Sequence, residues 1–134
     1  MQRKLARENA FILIFESVCK SDETAEEIYE KAVNVRGLEV DEYVTDVFFG
    51  SYENSDKIME AMEKHFMGWK KERISPISMA ILKLACYEII FLSDIPTRVS
   101  INEAIELSKK YDDEKSYSFI NGVLNAVGKE YAEK

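Results

Sequence analysis

Helical periodicity runs almost from end to end of this 134-residue chain, and no segment alternates apolar and polar residues as a strand would. A chain whose apolar residues recur every three to four positions buries them by packing helix against helix. Hydrophobic residues make up 46% of the sequence, which is enough for the core of one domain of this length. The sequence therefore predicts an all-α bundle that forms a single domain, residues 1–134.

The pattern predicts seven helices, separated by short polar or Pro-containing breaks. Six of them are expected over residues 3–19, 22–35, 40–52, 54–67, 76–92 and 115–131. The sixth helix in chain order is expected after the break that ends at Pro96. The helix over 76–92 is apolar nearly all round, which predicts that it lies at the centre of the bundle.

Short local signals predict several of the helix ends. Ser75 can cap the fifth helix, and Pro76 in its first turn lacks an N–H that would have no partner there. Ser100 and Glu103 match a capping box, which predicts the start of the sixth helix. Gly37 is typical of a helix C-terminus, since glycine adopts a left-handed conformation without steric cost.

Two glycines and one apolar run lead to further expectations. Gly68 is expected to end the fourth helix, and Gly122, inside the seventh, is expected to permit close approach of a neighbouring helix. Residues 10–15 of the first helix are all apolar and cover every face of it. Such a run is either buried on all sides or leaves one face for a protein partner, and the sequence leaves both alternatives open.

The net charge of −7 is unevenly distributed. Residues 1–20 carry four basic and two acidic side chains, residues 21–65 carry four and thirteen, and residues 66–134 carry ten of each. An acidic surface repels nucleic acids and anionic membranes. A polyanion is therefore expected to bind towards the ends of the chain, away from residues 21–65.

Three cations, Arg3, Lys4 and Arg7, lie within the first turns of the first helix. Arg3 and Arg7 are four residues apart and share a face, and two guanidinium groups on one face can each bind a phosphate bidentately. An anion at this end would also relieve the repulsion between cations and the helix dipole. The alternative interpretation is a solvated helix terminus without a ligand.

The inventory of reactive residues predicts no enzyme, no metal site and no cofactor. His65 is the single histidine, and Cys19 and Cys86 are not spaced as metal ligands. No Gly-rich phosphate loop and no recognisable nucleophile with a base occurs. The start of the chain lacks the apolar stretch of a secretory signal, which predicts a cytoplasmic protein with reduced thiols.

Four segments stand in an order that is characteristic of one family. They are residues 3–10, 80–88, 95–109 and 119–124. The Ile-Asn-Glu-Ala-Ile-Glu-Leu run at 101–107 and the Phe-Ile-Asn-Gly-Val-Leu run at 119–124 are the most specific. Together these segments resemble the NusB family, over essentially the whole chain. The same fold also begins some RNA cytosine methyltransferases, but 134 residues leave no room for their catalytic domain, so a freestanding factor is expected.

The resemblance implies a seven-helix NusB-like bundle of two helical subdomains, a three- to four-helix part over residues 1–68 and a second part over 69–134. It implies a non-enzymatic adaptor for transcription antitermination in the bacterial cytoplasm. Such an adaptor binds the boxA element of single-stranded RNA together with NusE, a ribosomal protein. The assembly joins the RNA polymerase antitermination complex and suppresses termination on ribosomal RNA operons.

The resemblance also assigns RNA-binding residues. Arg3, Lys4 and Arg7 fall on the family's arginine-rich N-terminal motif. Lys83 falls on the basic position of the fifth-helix motif, and Phe119 on the aromatic position that begins the seventh-helix motif. Lys83 and Phe119 are expected to line the same RNA groove, with Phe119 as a base-stacking surface.

Two aromatic residues, Phe15 and Phe66, match positions near the partner-facing surface of the family. The basic motif is thinner than usual, because Lys4 and Leu5 stand where arginine is common. This departure keeps a second hypothesis open: a protein-interaction bundle that binds NusE or self-associates as a homodimer, with little RNA binding of its own.

Overall fold

The computed structural model describes residues 1–20 and 22–131, and this part of the chain forms seven α-helices and no strand. They are α1 Arg3–Cys19, α2 Ala25–Glu30, α3 Glu42–Glu53, α4 Ser55–Glu63, α5 Pro76–Phe91, α6 Thr97–Tyr111 and α7 Ser116–Tyr131. A π-helical turn, Lys31–Val35, continues α2, and a 3-10 turn, Lys71–Arg73, precedes α5. The all-α prediction is confirmed. Over the described ranges, no helix has both the length and the apolar character that crossing a membrane requires.

Helix α5 is the centre of the bundle, as its apolar sequence predicts. It packs against α1, α3, α4, α6 and α7, and ten of its side chains are buried. Burial on every side explains why this helix has no polar face. Buried side chains from both halves of the chain form one continuous core. The division of the molecule near residue 68 remains a prediction, as does the homodimer.

The apolar run of α1 is largely buried in the core. Ala10, Phe11, Leu13 and Ile14 are almost inaccessible to solvent, because α1 lies against α3 and α5. Ile12 and Phe15, on the remaining side, are half-buried and pack against the edge of the core. Core burial thus explains most of the run.

The predicted ends of the second and fifth helices are confirmed where the signal is a local hydrogen bond. The Ser75 hydroxyl accepts a 3.0 Å bond from the backbone N–H of Ser78, with Pro76 as first helical residue. After the π-helical turn, Gly37 has a φ of 70° and the Leu38 N–H donates to the Ala32 carbonyl at 2.9 Å. These contacts satisfy backbone groups that a helix end would otherwise leave unpaired.

The predicted start of the sixth helix at Ser100 is wrong. Helix α6 begins at Thr97, directly after Pro96, so Ser100 already lies within the helix. Its hydroxyl group donates a 2.7 Å hydrogen bond to Glu88 on α5. The Ser and Glu spacing occurs here because both side chains face charged partners in the interior, and it does not mark a helix end.

A reciprocal capping box lies instead at the start of α2. The backbone N–H of Glu27 donates to Thr24 Oγ1 at 3.1 Å, and the Thr24 N–H donates to Glu27 Oε1 at 3.0 Å. This cap sets the start of α2 at Ala25, three residues later than predicted. The fourth helix is shorter than expected, since it ends at Glu63.

The expected role of Gly122 is also wrong. A Cβ atom built on Gly122 would meet no atom within 4 Å, so no neighbouring helix approaches it. The close approach occurs at Gly128, where an added Cβ would lie 2.8 Å from Thr97 Cγ2 of α6. Gly122 instead borders a surface groove that Phe119 also lines.

Candidate functional site

Arg7, predicted to bind RNA, lies in the core and is only 4% exposed. Its Nε donates a 2.8 Å hydrogen bond to Glu88 Oε2, and its Nη1 lies 3.5 Å from Glu103. Glu88 is completely buried and also accepts hydrogen bonds from the hydroxyl groups of Tyr43 and Ser100. Helices α1, α3, α5 and α6 are thus joined by one carboxylate.

The titration of this cluster follows from its burial. Desolvation lowers the pKa of Arg7, but the hydrogen bond to Glu88 and the charge of that residue outweigh it and raise the pKa overall. Burial, together with the charge of Glu88, raises the pKa of Tyr43 well above its ordinary value. At every physiological pH the cluster therefore holds a cationic Arg7 and an uncharged Tyr43.

Arg3 shares a face of α1 with Arg7, as the four-residue spacing predicts. The guanidinium carbon of Arg3 lies 4.3 Å from the centre of the Tyr43 ring, and that of Arg7 lies 5.8 Å from the same centre. Arg3 is solvent-exposed, whereas Arg7 is not. The ring orients Arg3 at the surface through a cation–π contact.

Lys4 lines a groove of about 250 Å³ between α1 and α6. The last turns of α6 contribute Lys109 and Lys110 to this groove, and three carboxylates from both helices also border it. Lys110 Nζ lies 2.7 Å from Glu8 Oε2, a hydrogen bond that raises the pKa of Lys110. Lys4 makes no ion pair with any residue that the structure describes. The groove therefore presents the unpaired ammonium group of Lys4 and the paired one of Lys110 to an anionic ligand such as a phosphate backbone.

Phe119 lies at the start of α7 in a second groove, of about 540 Å³. Its ring centre is 5.8 Å from that of Phe66 and 5.1 Å from that of Trp69. Phe66 is buried beneath it, while Trp69 is 55% exposed. Lys115 stands at the rim and Gly122 leaves the surface beside Phe119 open. The groove offers aromatic surfaces next to a cation.

Lys83 does not line the groove of Phe119. It borders cavities between α5 and the ends of α1 and α4, with Ser17 and Ser55 near it. Burial, and secondarily the charge of Lys71, lowers the pKa of Lys83. Residues 67–73 connect these two sites, since Trp69 lines the groove of Phe119 and Lys71 lines a cavity together with Lys83.

The two residues expected to face a partner protein lie apart. Phe15 is half-buried on α1, 6.3 Å from Phe11 between ring centres. Phe66 is 5% exposed and supports Phe119 from beneath. Phe15 thus keeps some accessible surface for a partner, whereas Phe66 has almost none.

Sequence reasoning missed Lys109, Lys110, Lys115 and Trp69. Lys109 and Lys110 lie near the end of α6, and Lys115 directly precedes α7. The connection between these two helices has the groove of Lys4 at one end and the groove of Phe119 at the other. Lys109 and Lys110 lie in the last turn of α6, where cations also interact favourably with the helix dipole. Trp69, the one tryptophan of the chain, is the signal that could have been followed.

His65, the single histidine, contacts Glu130 on α7 and lies just past the end of α4. Hydrogen bonds from His65 and Lys64 lower the pKa of Glu130. Across residues 1–20 and 22–131, no three His, Cys, Asp or Glu side chains come together in a way that would hold a metal ion.

Comparison with known proteins relates this geometry to one family. Residues 4–129 match the model of the NusB family. The transcription antitermination protein NusB of Clostridium botulinum strain Alaska E43 is 42% identical over 133 residues, which cover 95% of this chain and 98% of that protein.

Solved structures share the fold, and two of them are compared with this chain. The structure of T. maritima NusB is 32% identical with a TM-score of 0.86, covering 98% of this chain and 94% of that one. A crystal structure of the antitermination factors NusB and NusE in complex with double-stranded RNA is 28% identical with a TM-score of 0.84. That match covers 96% of this chain and 97% of the other.

Proposed function

The chain belongs to the NusB family, and from that premise we propose that it is an RNA-binding adaptor for transcription antitermination. It is not an enzyme. It binds boxA-type single-stranded RNA together with NusE and joins the RNA polymerase antitermination complex to suppress termination on ribosomal RNA operons. Because it acts on nascent transcripts, we assign it to the cytoplasm.

One observation carries the proposal: the α6–α7 connection links a groove that contains lysines and carboxylates to an aromatic groove. Lys4 and Lys109 lie at one end of this path, and Lys115 and Phe119 at the other. Single-stranded RNA is recognised by cations that follow its phosphates and by aromatic rings on which its bases stack. The path supplies both kinds of contact in sequence.

We assign direct RNA contacts to Arg3, Lys4 and Phe119. Arg7 supports the site indirectly. Its burial against Glu88 removes it from the surface, and the Tyr43 ring that it contacts also orients Arg3. Lys83 is a contact for RNA that continues along residues 67–73. For NusE, we assign Phe15 as a surface contact and Phe66 as the support of Phe119.

A second candidate function rests on the burial of Arg7. With Arg7 in the core, only Arg3 and Lys4 of the predicted cationic motif remain at the surface. A bundle with so few exposed cations can act mainly through NusE, binding that protein well and RNA weakly on its own.

A titration of fluorescently labelled boxA RNA, with and without NusE, distinguishes these functions. The adaptor is expected to bind RNA, and NusE is expected to strengthen binding. Replacing Arg3→Glu and Lys4→Glu together should weaken binding, with the helical circular dichroism unchanged. Lys57→Glu, which reverses one exposed cation on α4, is the control for a charge reversal away from the candidate site.

Unchanged binding by the double variant would overturn the assignment of α1. Capture of NusE without any RNA specificity in the joint complex would favour the second function instead.

A further inference from the structure

Trp69 lies in an exposed position that its size and apolar character do not explain by packing. More than half of its surface is accessible, and Met67, two residues earlier, is 87% exposed. Large apolar side chains that stand together at a surface mark an interaction site. Both side chains line the groove of Phe119.

The backbone of this segment is held in an unusual shape. Met67 has a φ of 50° and Gly68 a φ of 89°. A left-handed conformation is uncommon for a residue with a side chain and is maintained where the surrounding structure requires it. The N–H of Trp69 donates a 2.9 Å hydrogen bond to the Phe66 carbonyl, which closes the turn and fixes the start of the indole side chain.

Three rings are consequently arranged in order from core to surface. Phe66 is buried, Phe119 rests on it, and Trp69 lies beside Phe119 at 5.1 Å with an angle of 45° between the rings. The inner rings restrict how far the indole can turn inward. The open face of Gly122 leaves space next to the rings for a flat group.

Cations surround this aromatic cluster. Lys115 lines the same groove, and Lys70 and Arg73 line the adjoining depression that shares Met67 and Trp69. Within the described chain, none of these three cations makes an ion pair. A ligand with flat, uncharged rings and an anionic backbone matches the arrangement of ring surface and charge.

We propose that Trp69 is a base-stacking residue, which holds an unpaired nucleobase of the bound RNA against the Trp69 and Phe119 rings while Lys115 and Lys70 contact the adjoining phosphates. This inference rests on the proposed RNA-binding function and names a contact within it. Stacking of a base on an aromatic side chain strengthens binding in a sequence-tolerant way, because every base has a π-face.

The single tryptophan allows a direct test, since its fluorescence reports on residue 69 alone. Titration with a boxA-type RNA should quench the emission, and quenching should saturate at the RNA concentration at which the anisotropy of labelled RNA saturates. An oligonucleotide of equal length with abasic riboses keeps the phosphates and should leave the emission unchanged.

Variants give the second arm of the test. Trp69→Ala should weaken RNA binding by about 5- to 100-fold, and Trp69→Phe, which keeps a stacking ring, should bind within a few-fold of the parent. Tyr117→Ala is the control, because Tyr117 is 44% exposed on the same helix as Phe119 and does not line the groove. Circular dichroism checks that each variant folds.

The outcomes separate this inference from the proposed function. RNA binding by anisotropy with unquenched Trp69 and a normal Trp69→Ala affinity would overturn the inference and leave the function standing. No RNA binding, even with NusE, would overturn the function itself. Emission that changes with NusE alone, or with protein concentration alone, would assign the surface to a protein interface and would also overturn the inference.

Discussion

At the scale of single residues, we expect Arg7 to support the RNA-binding surface without touching the RNA. Its guanidinium group neutralises Glu88 inside the bundle, and both charges are removed from water. A buried ion pair contributes little net stability, but loss of one partner leaves an uncompensated charge. The pair therefore fixes the position of α1, and with it that of Arg3.

Arg7→Met is expected to lower the free energy of unfolding by about 3 kcal/mol, because it leaves Glu88 buried without its cation. Replacing both residues, Arg7→Met with Glu88→Met, should cost less than the sum of the two single changes. Urea unfolding of the four proteins measures this coupling. Arg3→Met is the control, since Arg3 rests on the same Tyr43 ring at the surface. An equal effect of Arg3→Met and Arg7→Met would contradict the structural role of the pair.

Lys83 is a residue at which stability and binding are expected to oppose each other. Burial lowers its pKa, so between the lowered value and the ordinary value of 10.5 the unfolded chain binds more protons than the folded one. The stability contributed by Lys83 therefore increases as the pH rises through that window.

Lys83→Met should raise the urea midpoint at neutral pH, because it removes a partly desolvated charge and keeps the unbranched stem. It should also remove this part of the increase in stability towards pH 10.5. If Lys83 contacts RNA, affinity falls while stability rises. Lys129→Met, on the exposed face of α7, is the control. A lower midpoint for Lys83→Met would show that the ammonium group stabilises the fold.

At the scale of helices, two glycines of α7 have opposite roles. Gly128 lies where α6 crosses α7 and has no room for a side chain, whereas Gly122 faces open space. Their residue type is the same, and the difference comes only from the neighbouring helix.

Gly122→Ala is expected to stabilise the protein by about 0.5–1 kcal/mol, because alanine loses less conformational freedom in a helix. Gly128→Ala should destabilise it by about 1–3 kcal/mol, since its Cβ atom would press on Thr97 and separate the helices. The two variants control each other, and urea unfolding compares them. Equal signs would contradict the assigned packing.

The fold could be predicted from the sequence where a feature depends on residues that are close together in the chain. The caps at Ser75 and Gly37 depend on bonds within a few residues, so their spacing was sufficient. The pairing of Arg7 with Glu88 joins positions 81 residues apart, and no local pattern encodes it. For the same reason the capping-box pattern at Ser100 was misleading, because a partner on another helix used the serine.

The candidate site likewise contains one part that the sequence predicts and one part that it does not. The predicted face of α1 with Arg3 and Arg7 is present, since helical spacing determines it. The groove that combines Phe119 with Trp69 depends on how the connection after α4 folds back onto α7. That connection contains the left-handed Met67, for which sequence alone gives no signal.

At the scale of the whole molecule, the net charge of −7 predicts that RNA is confined to a narrow path. The acidic residues 21–65 carry nine more negative than positive charges, whereas residues 66–134 are balanced. Long-range attraction is therefore weak, and affinity depends on a few close phosphate contacts and on stacking. Such a protein benefits from a basic partner that neutralises more of the RNA backbone.

The salt dependence of RNA binding measures how many phosphates are contacted. Each contacted phosphate of single-stranded RNA adds about −0.7 to the slope of log Kobs against log salt, so Lys4→Ala should reduce the magnitude of the slope by about 0.7. Lys57→Ala removes an exposed cation within the acidic residues and should leave the slope unchanged. Stacking releases no counterions, so Trp69→Ala should weaken binding at every salt concentration with the parental slope. A slope that changes equally in all three variants would mean that affinity follows net charge and that no defined path exists.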